Sequence, residues 1–172
     1  DFEAVKKVTK NVDIIMHLAF INGTKFFYEK PELVLDVGVK GAINILDCTL
    51  NSNVNSFILA SSSEVYGEPL SNPISETHIT QGKTIYAVSK LVGEEMCKAY
   101  SQRFGLNYVI LRYFNCYGPY QTAQFVISKF IKEVIKGKSP IINGDGNQLR
   151  SYTYVSDTAE ATILCISEKK AV

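Results

Sequence analysis

Three short apolar runs, each separated from the next by a long amphipathic stretch, constrain this chain more than any single motif. "VDIIMHLA" (Val12–Ala19), "SFILAS" (Ser56–Ser61) and "NYVILRYFN" (Asn107–Asn115) have the length and β-branched content of buried strands. Between and after them lie "PELVLDVGVKGAINILDCTL" (Pro31–Leu50), "YAVSKLVGEEMCKAYSQRFG" (Tyr86–Gly105) and "QFVISKFIKEVIKG" (Gln124–Gly137). Each has helical periodicity; the first opens with Pro in its first turn, and the other two end at Gly. Residues 2–9 also read as helical, and residues from Glu68 to about Lys83 read as a loop rich in Pro, Ser and Asn. Near-continuous apolar strands joined through helices demand a parallel sheet with helices on both faces. The expected class is α/β, with a doubly wound parallel sheet.

The last segment changes style. "GDGN" (Gly144–Asn147) reads as a hairpin turn, and "LRSYTYV" alternates like a partly exposed strand. "SDTAEATILCI" then opens a helix, with Asp157 and Glu160 spaced as a capping box. The expected organisation is therefore a sheet domain over residues 1–118 and part of a smaller layer over residues 119–172. The last helix is expected to return to the sheet.

Charge narrows the partners. The 18 Lys and Arg against 17 Asp and Glu give a net charge of +1, mixed along the chain, which fits neither nucleic acid nor a membrane surface. No apolar run is long enough to span a bilayer. Cys48, Cys97, Cys116 and Cys165 lie far apart and read as free thiols of a reducing, cytoplasmic protein. With only His17 and His78 besides, no metal site is expected.

The chemistry centres on "SSSEVYGEPL" (Ser61–Leu70), at the end of the second strand, where open α/β sheets place their sites. Tyr86 and Lys90 follow, four apart on one helical face. Alone, such a pair is more readily a boundary tyrosine beside a solvated lysine. Beside a serine cluster it suits removal of a proton from an alcohol. A lysine ammonium about 4 Å from the phenol, at an effective dielectric near 20, favours phenolate by roughly 4 kcal/mol. That would bring Tyr86 from its ordinary value near 10 to near pH 7, where a general base works best. Deprotonation helps only if hydride leaves the same carbon, which implies a nicotinamide acceptor.

Five ordered stretches together resemble the extended short-chain dehydrogenases/reductases, specifically the NAD-dependent nucleotide-sugar epimerases and dehydratases. "DIIMHLAF" is similar to the strand ending in His-Leu-Ala-Ala, "ILASSSEVYGEP" to the catalytic Ser/Thr strand, and "YAVSK" to the Tyr-x-x-x-Lys helix. "LRYFNCYGPYQ" resembles Arg-x-Phe-Asn-x-Tyr-Gly-Pro, and "GDGNQLRSYTYVSD" resembles a stretch of the substrate domain. The resemblance implies a Rossmann-like domain that binds NAD, with Ser62 in the catalytic Ser/Thr place. Tyr86 would be the base, and Lys90 would hold the ribose while lowering the phenol's pKa. Leu18, Ala19, Ala60, Ser61 and Tyr113 would join Tyr86 and Lys90 around the cofactor. Asn115 would contact a nucleotide-diphosphate sugar and Arg150 its diphosphate. Asn115 as a strand-end cap and Arg150 as a solvated charge remain the alternatives, and Asp157 reads as a helix cap.

Ser63 and Glu64 would face the sugar and narrow the reaction. The 4,6-dehydratases carry Asp-Glu there, and Ser63 cannot serve as that acid; Ser-Glu instead resembles the UDP-glucuronate decarboxylases. The leading expectation is a 4-epimerase acting through a 4-keto sugar, with decarboxylase or dehydratase, and a non-catalytic remnant, as alternatives. The resemblance also implies a homodimer through the helices at 31–50 and 86–105. Two departures stand out: Gly38 replaces the family's Asn, and the Gly-x-x-Gly-x-x-Gly turn is absent. The first βαβ unit, which carries that turn and the ribose-reading acid, is expected to precede Asp1.

Overall fold

The computed structural model describes residues 1–21, 23–122 and 124–167, so the end of the 119–172 segment lies outside the described residues. Two compact units divide between Tyr113 and Phe114. The first contains α1 (Phe2–Val8), β1 (Ile14–His17), α2 (Thr24–Glu29), α3 (Pro31–Leu35), α4 (Gly41–Thr49), β2 (Ser56–Ser62), α5 (Ile85–Phe104) and β3 (Tyr108–Tyr113). Its sheet is parallel in the order β1-β2-β3, as the apolar runs demand. The register pairs Ser62 with Tyr113, so the ends of β2 and β3 lie side by side, while β1 ends three residues earlier, where His17 pairs with Leu59.

β2 is the centre, and its continuous apolar sequence reflects burial on both faces, with Phe57 and Ile58 at 0% exposure. One core joins Ile15, Phe57 and Leu59 of the sheet to Leu46 of α4, Cys97 of α5 and Leu106. Gly93 lets α5 lie close, since a Cβ there would already touch the Leu59 methyl at 3.4 Å. Helix α5 starts where Thr84 accepts a hydrogen bond from the Ala87 N–H (3.1 Å) and stops at Gly105, whose φ of 73° is left-handed.

Several elements differ from expectation. β1 is shorter than Val12–Ala19 because the Leu18 N–H turns back to the Met16 carbonyl (3.1 Å) and leaves the ladder. The 31–50 helix contains a π-helical turn, Asp36–Lys40, between α3 and α4. α2 was not foreseen; a non-helical Lys30 (φ -141°, ψ 58°) separates it from the Pro31 start of α3. After β2 a short 3₁₀ turn, Ser63–Tyr66, is closed by Gly67 at φ 64°. A Cβ at Gly67 would sit 2.3 Å from the Gln81 carbonyl oxygen, and the Gln81 N–H bonds to the Val65 carbonyl (2.9 Å). The 68–83 loop thus returns to the turn from which it leaves.

The second unit holds β4 (Asn115–Tyr117), α6 (Val126–Ile135), β5 (Tyr152–Tyr154) and α7 (Val155–Ser167). The strand expected over 107–115 breaks at Phe114, and β4, grouped by sequence with the first domain, clusters with the second unit. The hairpin expectation at Gly144–Asn147 does not hold. The turn exists, with Asp145 accepting from the Asn147 N–H (3.0 Å), but β5 pairs with β4, and in parallel. An aspartate that satisfies its own turn needs no flanking ladder. The capping box also fails: α7 begins at Val155 directly from β5, which puts Asp157 inside the helix, where it accepts from the Ser156 hydroxyl (3.1 Å).

A buried ion pair ties the first unit together. Glu94 of α5, fully buried, receives Arg112 of β3 through Nε (3.0 Å) and Nη2 (2.6 Å), and the Ser61 hydroxyl of β2 donates to the same carboxylate. Arg112 also donates to the Tyr66 hydroxyl (3.1 Å) and the Glu76 carbonyl (3.0 Å). Arg112→Met would leave the Glu94 carboxylate buried without its cation. We expect urea denaturation to show a loss of about 3–5 kcal/mol.

Candidate active site

The C-terminal ends of the parallel strands carry the polar groups. Ser62 ends β2, and its hydroxyl accepts the Glu64 N–H (3.2 Å), which starts the 3₁₀ turn. From α5, the Tyr86 phenol comes near enough to the Ser62 hydroxyl for that hydroxyl to draw its pKa down. Lys90, 7% exposed, crosses to the same strand and donates to the Ala60 carbonyl (2.7 Å). The structure thus brings Ser62, Tyr86 and Lys90 together. Glu64 is exposed, yet its charge is felt by the phenol, and Ser63 is half-buried beside it.

Aromatic rings shape the other side. Phe27 stacks on Tyr86 (centroids 4.6 Å, 9° between planes), and Phe20 meets it edge-on at 5.1 Å. The Lys90 ammonium lies 4.1 Å from the Phe20 ring centre and 5.7 Å from that of Tyr86. Leu18 and Ala19, just beyond β1, are exposed, and Tyr113 ends β3 opposite Ser62. Ala60 offers its carbonyl to Lys90, whereas the Ser61 hydroxyl is committed to Glu94 on the packed side of the strand. In the second unit the Asn115 amide donates to the Ser151 carbonyl (3.1 Å), and Arg150 is exposed and donates to the Leu149 carbonyl (2.8 Å). The β4–β5 ladder, which pairs Asn115 with Tyr152, brings these two residues near one another.

The electrostatics correct one expectation. Tyr86 lies above its ordinary value near 10, not near 7. Burial is the main cause, the Ser62 hydroxyl opposes it, and the Glu64 charge adds to it. Lys90 does not offset this rise, and burial lowers its own value to about 8. His17, at the end of β1, is pushed down to about 4 by burial and by Lys90, so it stays neutral at pH 7. The sequence reading passed over His17 and Phe20, since neither spacing nor composition links them to Lys90. Their position at a strand's C-terminal end was the one available signal.

Residues 1–172 match the profile of the NAD dependent epimerase/dehydratase family along their whole length. The chain belongs to this family. Among curated relatives it is 39% identical, over 95% of its length, to a putative UDP-glucose 4-epimerase of Methanocaldococcus jannaschii, and spans 55% of that protein. It is 36% identical, over 98% of its length, to a UDP-N-acetyl-alpha-D-glucosaminuronate decarboxylase of Bacillus cytotoxicus, spanning 54% of it. A solved UDP-glucuronic acid 4-epimerase of Bacillus cereus, bound to UDP-glucuronic acid and NAD, superposes with a TM-score of 0.91 at 31% identity, covering 100% of this chain and 55% of that one. The chain therefore spans about half the length of the relatives it matches. Among the described residues no helix is long and apolar enough to cross a membrane.

Lys90 gives the site a testable energetic signature. Between its ordinary 10.5 and its folded value of about 8, the unfolded chain holds a proton that the folded chain has released. Stability from this group therefore rises with pH across that window, and its full penalty is present below pH 8. Lys90→Met removes roughly 3 kcal/mol of penalty and about 1 kcal/mol of hydrogen bonding to Ala60. Urea denaturation is expected to show a gain of about 2 kcal/mol at pH 7 that shrinks as pH rises from 8 to 10.5.

Proposed function

We propose that the intact protein is an NAD-dependent nucleotide-sugar 4-epimerase with Tyr86 as its base. The observation that carries this reading is the convergence of the Ser62 hydroxyl, the Tyr86 phenol and the Lys90 ammonium at the strand ends. The donor set suits a dinucleotide. Lys90 is a buried ammonium with three donors, one of them held by Ala60, and the others can bond a ribose diol. Leu18, Ala19, Ala60, the Ser61 backbone and Tyr113 would line the cofactor. Bound NAD would accept hydride from C4 of the sugar and return it, by way of a 4-keto sugar.

The protein's own groups handle the proton. Ser62 orients the substrate hydroxyl, and Tyr86 takes its proton. Lys90, still largely protonated at pH 7, is the cation available to stabilise the phenolate. Asn115 and Arg150 would hold the nucleotide diphosphate by hydrogen bonding and charge.

A UDP-glucuronate decarboxylase is the second reading. It is favoured by Ser63-Glu64 and by the Glu64 charge acting on Tyr86. The relative named as a decarboxylase supports it as well. A panel of UDP-, dTDP-, GDP- and CDP-sugars, with products resolved by NMR, separates the two: epimerisation keeps every carbon, and decarboxylation releases one. Tyr86→Phe is expected to lower kcat by about 10²–10⁴-fold with KM little changed. Turnover near that of the unaltered protein would overturn the base assignment.

We also propose a homodimer through the helices at 31–50 and 86–105. Leu35, Ile43 and Leu50 on the first, and Val88 and Phe104 on the second, are between 36% and 47% exposed. A two-fold axis would bury this apolar surface against its own copy. Light scattering at tens of micromolar is expected to give twice the monomer mass; a monomer mass would refute the pairing.

A further inference from the structure

Phe20 occupies space that exists only because residue 38 has no side chain. A Cβ at Gly38, in the π-helical turn, would lie 2.6 Å and 2.7 Å from the Phe20 Cε2 and Cζ atoms and 3.3 Å from the Ser89 hydroxyl oxygen. The two ring contacts are too short to keep, so a side chain at residue 38 would force the lodged ring edge to shift. The ring's free face carries the Lys90 ammonium at 4.1 Å, and ring and Tyr86 meet at 81°. An ammonium over the face of an aromatic ring is attracted by its quadrupole, most strongly where water is excluded.

We propose that Phe20 is a positioning residue for the active site, locked by Gly38 so that its face holds the Lys90 ammonium and its contact with Tyr86 spaces the phenol. This rests on the reading of Lys90 as the residue that receives the NAD ribose. Among the described residues, the polar groups that face Lys90 include the Ala60 carbonyl of β2, neutral His17 of β1 and Tyr86 on its own helix, while the Glu64 carboxylate acts on Tyr86. None of them sets the ammonium's position across the strand as the ring does. The Ala60 bond fixes a distance to β2, and the ring supplies the second support needed to aim the remaining donors.

The test is calorimetric titration of NAD into the intact protein. Phe20→Leu keeps apolar bulk but removes the ring face, and is expected to weaken NAD affinity roughly 3- to 30-fold. Phenylalanine with one and then two ortho fluorines at position 20 keeps the ring's shape, avoids the edge lodged at Gly38 and drains its face. Affinity is expected to fall stepwise along that series while the melting temperature stays level. Gly38→Ala should reproduce the loss, and should add little to Phe20→Leu, because both act through one ring. A flat response to fluorination would overturn the proposal, leaving Phe20 a space-filler, even if Phe20→Leu were unstable. Failure of the unaltered protein to bind NAD would instead refute the functional reading on which the proposal rests.

Discussion

The buried Glu94–Arg112 pair is the contact on which the site's geometry depends. Removing two charges from water costs more than their attraction reliably returns, so such a pair is a poor device for stability alone. Its effect here is on register. Glu94 receives the Ser61 hydroxyl, and Lys90, one helical turn earlier, reaches the Ala60 carbonyl. Two polar contacts from one helix to adjacent strand residues exclude both sliding and rotation of α5 over β2. Tyr86, another turn earlier on the same stripe, is thereby brought to Ser62. Arg112 extends the restraint to Tyr66 and to the loop carbonyl of Glu76, so the segment after Ser62 is held by the same cation.

That arrangement conflicts with comfort in the core. An amine at 7% exposure and a phenol whose pKa is raised by burial are both poorly solvated in the folded chain. The low dielectric that makes these groups uncomfortable also strengthens each interaction they make with a ligand. A chain selected for stability alone would place apolar residues at 86 and 90. Tyr and Lys at these positions cost folding free energy, which the proposed base and its cation would return as reactivity.

What the sequence made legible follows from how local its cause was. Alternation of apolar runs and amphipathic stretches is a local pattern, and it identified the parallel sheet, the central strand and α5 to within a residue or two. The Tyr86 and Lys90 pair was legible because residue type and helical spacing act together, and the resemblance singled out Ser62 from its serine cluster. Long-range packing was not. Nothing local marks Asp36–Lys40 as a π-helical turn, because a widened turn keeps nearly the same apolar stripe. The pairing of β5 with β4 joins segments more than thirty residues apart, and the turn chemistry at 144–147 pointed to a nearer partner. The pKa of Tyr86 was misjudged for a related reason: spacing predicts proximity to Lys90 but not how much water both groups lose.

Gly67 has a bearing on how this fold can diversify. The close approach of the Gln81 carbonyl, possible because Gly67 has no Cβ, and the bond from Gln81 back to Val65 staple both ends of the 68–83 segment to one point beside the end of β2. A segment clipped at its base can change length at small entropic cost, since doubling such a loop adds only about 0.6 kcal/mol to its closure. The staple therefore uncouples the evolution of the loop from that of Ser62 and Tyr86. Insertions between residues 69 and 75 would lengthen the loop without moving Ser62 or Tyr86, which makes that stretch the natural place to graft new recognition.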